Sequence, residues 1–294
     1  MIKKGVYAAT LSVIDENGSL NIDETIAHAE NIIKEGLHGV FFLGSTSCAQ
    51  YISLDEKKEL VSKLSLSKFK NKFFLGTGLN SYRDNLNFIK YSMEYGFTTF
   101  LMQPPAYGAG NTEQGVKFFF DQIIKNIPKV KIILYNFEKL SGFKFEAEFV
   151  KKLVSAHPKN IVGAKDSTGN LFKNVKIKDF LMFPGDESKL LDGLNLGCSG
   201  TISAVINLSH SLARKVFDDF ENNKPQTANE KLIAVRKIFD NYNLISALHT
   251  YMSTKNSKFK NLLPPLILLN SKDKKELLKK LENLKFGLDK NIAA

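Results

Sequence analysis

The sequence lacks several features that would assign it to a familiar class of protein. It has only two cysteines, Cys48 and Cys198, which give neither a disulfide framework nor a metal-ligand spacing. It has no apolar run of eighteen residues, so no membrane-spanning helix is expected. The N-terminal segment is a poor signal peptide, because its short apolar run is interrupted at Asp15 and Glu16. A cytoplasmic location is therefore expected.

Other absences concern metals and nucleic acids. The five histidines form no H-x-H or H-E-x-x-H pattern, so metal-dependent chemistry is not favoured. The net charge of +11 is compatible with nucleic-acid binding, but the lysines are spread along the chain and no nucleic-acid-binding motif is present. We therefore expect neither nucleic acid nor a membrane as a partner. A positive field still attracts a small anionic substrate.

What the sequence does have is a regular alternation of short apolar runs with amphipathic segments. Each run is apolar throughout, as expected of strands that are buried on both faces. Strands that alternate with helices imply a parallel sheet, most simply a closed (β/α)8 barrel, for which about 250 residues are typical. An open doubly wound sheet is the competing arrangement, but the Gly-rich fingerprint that would favour it is missing after the first run. The eight runs are residues 6–12, 39–43, 73–76, 98–102, 131–135, 161–165, 180–183 and 200–204.

The C-terminal part of the chain has a different pattern. Strand patterns end near residue 220, and helical patterns then cover residues 228–243, 244–252 and 272–286. This predicts a barrel over residues 1–222 and a C-terminal helical region over residues 223–294, packed on the barrel or on a neighbouring subunit. Within the barrel, the segment between the sixth and seventh runs has the weakest helical pattern.

Lys165 and Tyr135 are the leading candidates for chemistry, which in such barrels takes place at the C-terminal ends of the strands. Lys165 ends the sixth apolar run, so its side chain leaves a buried strand. Burial favours the neutral amine, which attacks a ketone to form a Schiff base. Tyr135 ends the fifth run at an equivalent depth, where its phenol can transfer protons. The alternatives are a solvated, ion-paired lysine and an aromatic side chain that merely caps the barrel.

Polar residues after other strands extend this candidate site. Ser45 and Thr46 lie in a glycine-led turn whose hydroxyl and N–H groups can hold a carboxylate, although such turns often satisfy only their own backbone. Asp186 and Glu187 follow the seventh run, where they either hold substrate hydroxyls or begin a helix. Cys48 is expected to be a small buried side chain rather than a nucleophile.

Together these residues resemble the dihydrodipicolinate synthase / N-acetylneuraminate lyase family, which comprises class I pyruvate-dependent aldolases on (β/α)8 barrels. Each motif alone is weak, but their order and spacing are consistent from the first strand to at least Asn207. The similarity is carried by Gly44-Ser45-Thr46, Tyr135-Asn136, Gly163-Ala164-Lys165-Asp166-Ser167, Gly185-Asp186-Glu187 and the segment from Gly197 to Ser203.

The resemblance implies a role for each matching residue. Lys165 would form the imine with pyruvate, and Tyr135 would transfer protons. Tyr107 resembles the tyrosine that a neighbouring subunit donates to a relay with Ser45 and Tyr135. The family is usually a homotetramer, a dimer of dimers, and uses neither a metal nor an organic cofactor. The pyruvate carboxylate would be bound by side-chain and main-chain groups of Ser45, Thr46, Gly185 and Ile202.

Departures from the family pattern narrow the expected substrate. Ser47-Cys48 replaces Gly-Glu, and Glu138 replaces the proline of the Y-N-x-P motif. The synthase branch carries an arginine at the position of Leu140 and uses it to bind the carboxylate of its second substrate. The leucine therefore argues against dihydrodipicolinate synthase.

The resemblance instead favours a 2-keto-3-deoxy sugar-acid aldolase of gluconate or fuconate type, which has a leucine and a small hydroxyl residue at these positions. N-acetylneuraminate lyase is a second reading, although Ala204 stands where a serine is expected. Dihydrodipicolinate synthase is a third, and a non-catalytic metabolite-binding barrel is a fourth. The residues expected to contact the sugar part are Leu140, Ser141, Glu187 and Ala204.

Overall fold

The computed structural model describes residues 2–106 and 110–287. Within these ranges the eight strands are parallel and pair in the order β7-β6-β5-β4-β3-β2-β1-β8. The barrel closes between β7 and β8, where the Ser199 N–H donates to the Met182 carbonyl over 2.8 Å. The predicted (β/α)8 barrel is therefore confirmed. Its strands are β1 (Gly5–Ala9), β2 (Gly39–Phe42), β3 (Phe73–Gly76), β4 (Thr99–Met102), β5 (Lys131–Asn136), β6 (Ile161–Asp166), β7 (Leu181–Pro184) and β8 (Gly200–Ser203).

Helices connect most of these strands. Ser53 and Glu56 form a reciprocal capping box at the start of the second helix, where two otherwise unpaired N–H groups gain partners. In the described chain no helix lies between β6 and β7, and turns occupy residues 167–180 instead. This matches the weak helical pattern of that segment. The helices up to the end of the barrel are α1 (Ile22–Lys34), α2 (Leu54–Leu64), α3 (Tyr82–Glu94), α4 (Glu113–Asn126), α5 (Glu138–Ser141), α6 (Ala147–Ala156), α7 (Leu190–Asn195) and α8 (Ile206–Glu221).

Two apolar layers explain why the strands are apolar along their whole length. Alternate strand residues point into the barrel, where Tyr7, Phe41, Phe74, Phe183 and Ile202 belong to one buried cluster. The residues between them point outwards and form a second, larger cluster with the helices. The strands are thus buried on both faces, and polar groups that the fold displays for chemistry lie at their ends.

The C-terminal helices α9 (Asn229–Phe239), α10 (Leu244–Ser253) and α11 (Ser271–Asn283) pack on the barrel of their own chain. Leu232, Leu248 and Leu277 belong to the same hydrophobic core as the outer barrel layer. That core continues across residue 222 and marks no boundary there, so the predicted division of the chain into two parts stays a prediction. Among the described residues, no helix has the length and apolar character needed to cross a membrane.

Candidate active site

Lys165 and Tyr135 lie side by side at the C-terminal end of the barrel. The pairing of β5 with β6 sets Tyr135 level with Lys165. The Lys165 Nζ lies 4.4 Å from the centre of the Tyr135 ring. Both side chains are buried, with 3% and 4% of their surface exposed. The structure therefore brings together the two residues that the strand ends indicated, with the phenol next to the amine.

Ser45 extends this pair into a row of three groups. Its Oγ lies 2.9 Å from the Tyr135 Oη, and either atom can be the donor. Ser45 reaches this position because it follows β2 in the turn that begins at Gly44, with Thr46 buried beside it. The Tyr135 phenol thus lies between a hydroxyl group and an amine. This arrangement can move a proton between solvent-side groups and a molecule held at Lys165.

Asn136 and Asp166 lie directly after these two residues and fix the loops that follow. The two residues are level in the strand pair, and the Asn136 Nδ2 donates to the Asp166 Oδ1 over 2.8 Å. The Asn136 Oδ1 accepts from the Phe145 N–H over 3.1 Å. Neither residue was predicted to have a role of its own, although both belong to the matching motifs. Their amide and carboxylate link the ends of β5 and β6.

The Asp166 carboxylate also organises the turn that replaces a helix after β6. Its Oδ1 accepts from the Gly169 N–H over 2.8 Å. Its Oδ2 accepts from the N–H groups of Leu171 and Phe172 over 2.7 and 3.0 Å. Main-chain donors to a carboxylate act like a helix N-terminus and stabilise the buried anion. The backbone next to Lys165 is therefore held by its own loop.

Ser47 and Cys48 stand where the family has Gly-Glu, in the loop after β2. Ser47 connects this loop to the segment after β1. The Ser47 Oγ donates to the Thr10 carbonyl over 2.6 Å, and its carbonyl accepts from the Ser12 Oγ over 2.9 Å. Cys48 takes a left-handed conformation with φ of 56°. Burial raises the pKa of its thiol to about 12, so the thiolate is disfavoured. Cys48 is therefore buried and unreactive in this geometry.

The departure at Glu138 gives the loop after β5 a contact that a proline lacks. The Glu138 N–H donates to the Thr168 Oγ1 over 3.0 Å. Proline has no N–H group, so the substitution adds a hydrogen bond between the loops after β5 and β6. This contact supports the same side of the barrel as Asp166.

A cavity of about 190 Å³ opens beside the Ser45–Tyr135 pair. Leu140 lies on its wall, and its contact with the second part of a substrate stays a prediction. Gln50, Tyr51 and Gln103 also line it, and sequence reasoning missed all three. For Gln103 a signal was available, because it follows β4 in phase with the inward-facing Leu101. Among the described residues, the lining consists of Leu43, Gly44, Ser45, Ala49, Gln50, Tyr51, Gly78, Leu101, Gln103, Tyr135 and Leu140.

A second, larger cavity of about 640 Å³ lies between α1, α8 and α10. In the part of the chain that the structure describes, its wall includes none of the predicted site residues. Cavity size alone therefore does not locate the candidate site, whereas the clustered polar strand ends do.

Gly185 and Ile202 occupy the β7–β8 side of the barrel mouth. Ile202 is buried within the barrel interior. The Gly185 N–H donates to the Asp166 carbonyl over 2.8 Å. A Cβ at Gly185 would overlap the Ser167 side chain and lie 2.9 Å from the Ser167 Cα, so the backbone here leaves room only for glycine. Tyr107 lies outside the described residues.

Ser141 and Ala204, both expected to contact the sugar part, are absent from the described lining of this cavity, so those contacts stay predictions. The Ser141 Oγ donates to the carbonyls of Phe137 and Phe143 over 3.2 and 3.0 Å, so it stabilises its own turn. Ala204 belongs to the outer hydrophobic core, and its carbonyl accepts from the Asn207 Nδ2 over 2.7 Å. Both residues are engaged in packing and turn formation.

Glu187 was also expected to contact the substrate; the structure shows its contacts within the protein, and its role towards a substrate stays a prediction. Its side chain is fully buried, accepts a hydrogen bond from the Ser203 Oγ and lies 3.2 Å from the Arg236 Nη1. Burial raises the pKa of this carboxyl group, although Arg236 opposes the change. Its Oε1 has no hydrogen-bond partner among the described residues. Arg236 comes from α9, 49 residues further along the chain, so no local pattern could have indicated it.

Comparisons with known proteins agree with this geometry. The sequence profile of the Dihydrodipicolinate synthetase family matches residues 3–284. The chain belongs to this family. It is 28% identical over 233 residues to a 4-hydroxy-tetrahydrodipicolinate synthase from Acaryochloris marina, covering 76% of this chain and 78% of that protein. It is 25% identical over 269 residues to a 2-dehydro-3-deoxy-D-gluconate/2-dehydro-3-deoxy-phosphogluconate aldolase from Picrophilus torridus, covering 87% and 97%.

Solved structures show the same fold at lower sequence identity. YagE, a prophage protein of the dihydrodipicolinic acid synthase family from E. coli K12 in complex with pyruvate, superposes with a TM-score of 0.88 at 21% identity, covering 97% of this chain and 100% of that chain. A variant of the Sulfolobus solfataricus 2-keto-3-deoxygluconate aldolase superposes with a TM-score of 0.85 at 18% identity, covering 96% of each chain. These structures show that the fold is shared, whereas the family follows from the profile match over residues 3–284. The sequence relatives include both a synthase and a sugar-acid aldolase.

Proposed function

We propose that this family member is a Schiff-base-forming aldolase that reversibly cleaves a 2-keto-3-deoxy sugar acid, of gluconate or fuconate type, to pyruvate and an aldehyde. The observation that carries the proposal is the row formed by Ser45, Tyr135 and Lys165 at the ends of three strands. The sugar-acid substrate is supported by the apolar Leu140 on the cavity wall, where a carboxylate-bearing second substrate would need a cation.

The proposed reaction uses groups of this chain. The Lys165 amine adds to the C2 ketone, and loss of water gives a protonated imine. The C3–C4 bond then breaks, and its electron pair moves into the imine to form an enamine. The C4 hydroxyl group loses its proton as the aldehyde forms. Tyr135 is proposed to accept this proton as its own phenolic proton moves along the hydrogen bond to Ser45, which passes a proton on to solvent. Protonation at C3 and addition of water to the imine release pyruvate and restore the amine.

Several further properties belong to the same proposal. The imine serves as the electron sink, so we propose that no metal or organic cofactor takes part. The pyruvate carboxylate is proposed to bind at Ser45 and Thr46, with main chain near Gly185 and Ile202. A homotetramer in which a neighbouring subunit supplies Tyr107 to the relay is also proposed, as are a cytoplasmic location and a role in carbohydrate metabolism.

The imine is tested by trapping. The full-length protein is incubated with pyruvate and borohydride, and the intact mass is measured. We expect one reduced adduct on the wild type and on Lys90→Ala, which removes an exposed lysine from α3, and none on Lys165→Ala. An equal adduct on Lys165→Ala would sink the mechanism, and so would a wild type that forms no adduct.

The substrate is tested separately by coupled detection of pyruvate release. We expect release from 2-keto-3-deoxygluconate or 2-keto-3-deoxyfuconate. Release from N-acetylneuraminate alone would assign the protein to the lyase branch instead. Condensation of pyruvate with aspartate semialdehyde would assign it to the synthase branch, the activity named for the Acaryochloris marina relative. An adduct with no turnover of any substrate would indicate a binding barrel.

A further inference from the structure

Gln103 stands where the strand pleat directs it into the candidate cavity. On β4, Leu101 belongs to the barrel interior, whereas Phe100 and Met102 belong to the outer layer. Alternation therefore points the next residue, Gln103, inwards, one step above Leu101. It lines the cavity together with Tyr135 and Leu140, and it is only partly exposed. Its amide is thus available to a molecule that occupies the cavity.

The described lining of this cavity carries no ionisable acid or base other than tyrosine phenols. Its polar side chains are the amides of Gln50 and Gln103 and the hydroxyl groups of Ser45, Tyr51 and Tyr135. Such groups donate and accept hydrogen bonds without adding a charge. They can therefore both donate to and accept from the hydroxyl groups of a sugar-derived aldehyde. When a bound substrate covers such an amide without forming a hydrogen bond to it, the loss of hydration costs free energy. The amide therefore discriminates between substrates that have a hydroxyl group at this point and substrates that lack one.

The nearby lysines Lys57 and Lys139 add no charged side chain to the described lining of the cavity. Lys57 is outside the lining and almost fully buried, and its Nζ donates to the Gly78 carbonyl over 3.2 Å. Lys139 precedes Leu140 but is exposed and is not part of the lining. The amine of Lys165 is consumed by the imine in the proposed reaction. A phosphate or carboxylate in the cavity would therefore lose water without gaining a paired cation.

We propose that Gln103 is a specificity-determining residue that selects an uncharged, hydroxylated aldehyde over one that carries a phosphate or a second carboxylate. The inference rests on the proposed function and refines it, because it assigns the aldehyde half of the substrate to a cavity whose described lining carries no charged side chain. A Picrophilus torridus relative is named for both a sugar acid and its phosphorylated form, so family membership by itself does not imply the selectivity proposed here.

The test compares pyruvate release from 2-keto-3-deoxygluconate and from its 6-phosphate. We expect the wild type to have a kcat/KM at least about tenfold higher for the unphosphorylated substrate. Gln103→Leu keeps a similar volume but removes the amide, and it should lower that kcat/KM by roughly 10- to 100-fold. Gln103→Lys adds a cation and should shift the ratio towards the phosphorylated substrate by about tenfold or more.

Two controls distinguish the role of Gln103 from a general effect of the substitution and from a failure of the proposed imine chemistry. Gln114→Leu makes the same chemical change at an exposed position of α4 and should leave both rates within about twofold. Pyruvate and borohydride should still give the Lys165 adduct in Gln103→Leu, because the imine forms on β6. A missing adduct on the wild type overturns the proposed function. If the adduct forms, an unchanged kcat/KM in Gln103→Leu, or a wild type that prefers the phosphate, overturns the role of Gln103 alone.

Discussion

The two sides of the barrel mouth each bury a carboxylate, but they satisfy it by different means. On the β5–β6 side, Asp166 accepts four hydrogen bonds from neutral donors, three of them main-chain groups within the next six residues. On the β7–β8 side, Glu187 is bound by Ser203 and by Arg236 from α9, and one of its oxygens has no partner among the described residues. The side that carries Lys165 is therefore organised locally, whereas the opposite side depends on the C-terminal helices.

The charges on the β7–β8 side explain its dependence on one residue. A single guanidinium, that of Arg236, lies 3.2, 3.5 and 2.7 Å from the carboxylates of Glu187, Asp186 and Asp240. Burial by itself lowers the pKa of Arg236, but the three carboxylates more than offset this and raise it. Glu187 shares this cation with two other anions, so burial still raises its own pKa. One guanidinium thus holds three carboxylates beside a buried strand end.

Removal of that guanidinium should have the largest effect on stability. Arg236→Met leaves Glu187 buried without a cation, which is expected to lower the free energy of unfolding by about 3–5 kcal/mol. Urea unfolding near neutral pH measures the change, and Arg83→Met, at an exposed position of α3, should change it by no more than about 0.5 kcal/mol. The double variant Arg236→Met/Glu187→Met should recover most of the loss. If Arg236→Met were as stable as the wild type, Arg236 of α9 would not stabilise the β7–β8 side of the barrel mouth.

Asp166 offers the matching change on the other side. Asp166→Asn places an NH2 group against main-chain donors that now contact a carboxylate oxygen, and we expect a loss of about 2–3 kcal/mol in unfolding free energy. Because the turn next to Lys165 loosens, trapping of the pyruvate imine should also slow. Asp192→Asn, on the exposed side of α7, is the control for the same substitution. If Asp166→Asn slowed trapping no more than this control, the inference that Asp166 positions the backbone next to Lys165 would be wrong.

The smallest expected effect is a pH dependence that belongs to Glu187. Its pKa is raised above 4.5, so its stabilising contribution is fully present below pH 4.5 and is lost as pH rises through the raised pKa. Glu187→Gln cannot ionise and lacks this contribution. The unfolding free energy of the wild type minus that of Glu187→Gln should therefore fall from acidic to neutral pH. Urea unfolding of both proteins across this range measures the difference. A difference that rises with pH would show that Arg236 outweighs burial.

Several parts of the site follow from local sequence patterns. The adjacency of Tyr135 and Lys165 could be predicted because successive strands of such a barrel are neighbours, and both residues end a strand. The position of Leu140 beside them follows from its place in the loop after β5. The packing of Ser141 and Ala204 could not be predicted, because Ser141 lies in the short helix α5 and Ala204 follows the last residue of β8, where contacts of the folded chain decide which way a side chain points.

By itself, the sequence determined the alternation of strands and helices, and with it the barrel and the row of polar groups at its mouth. Apolar periodicity and strand ends are local properties, so they can be read without knowledge of distant contacts. Only the tertiary structure showed that Arg236 reaches Glu187 and that Gln103 and Leu140 line the same cavity. Both arrangements bring together segments many residues apart. They depend on how α9 and α5 pack on the barrel, which no local period specifies.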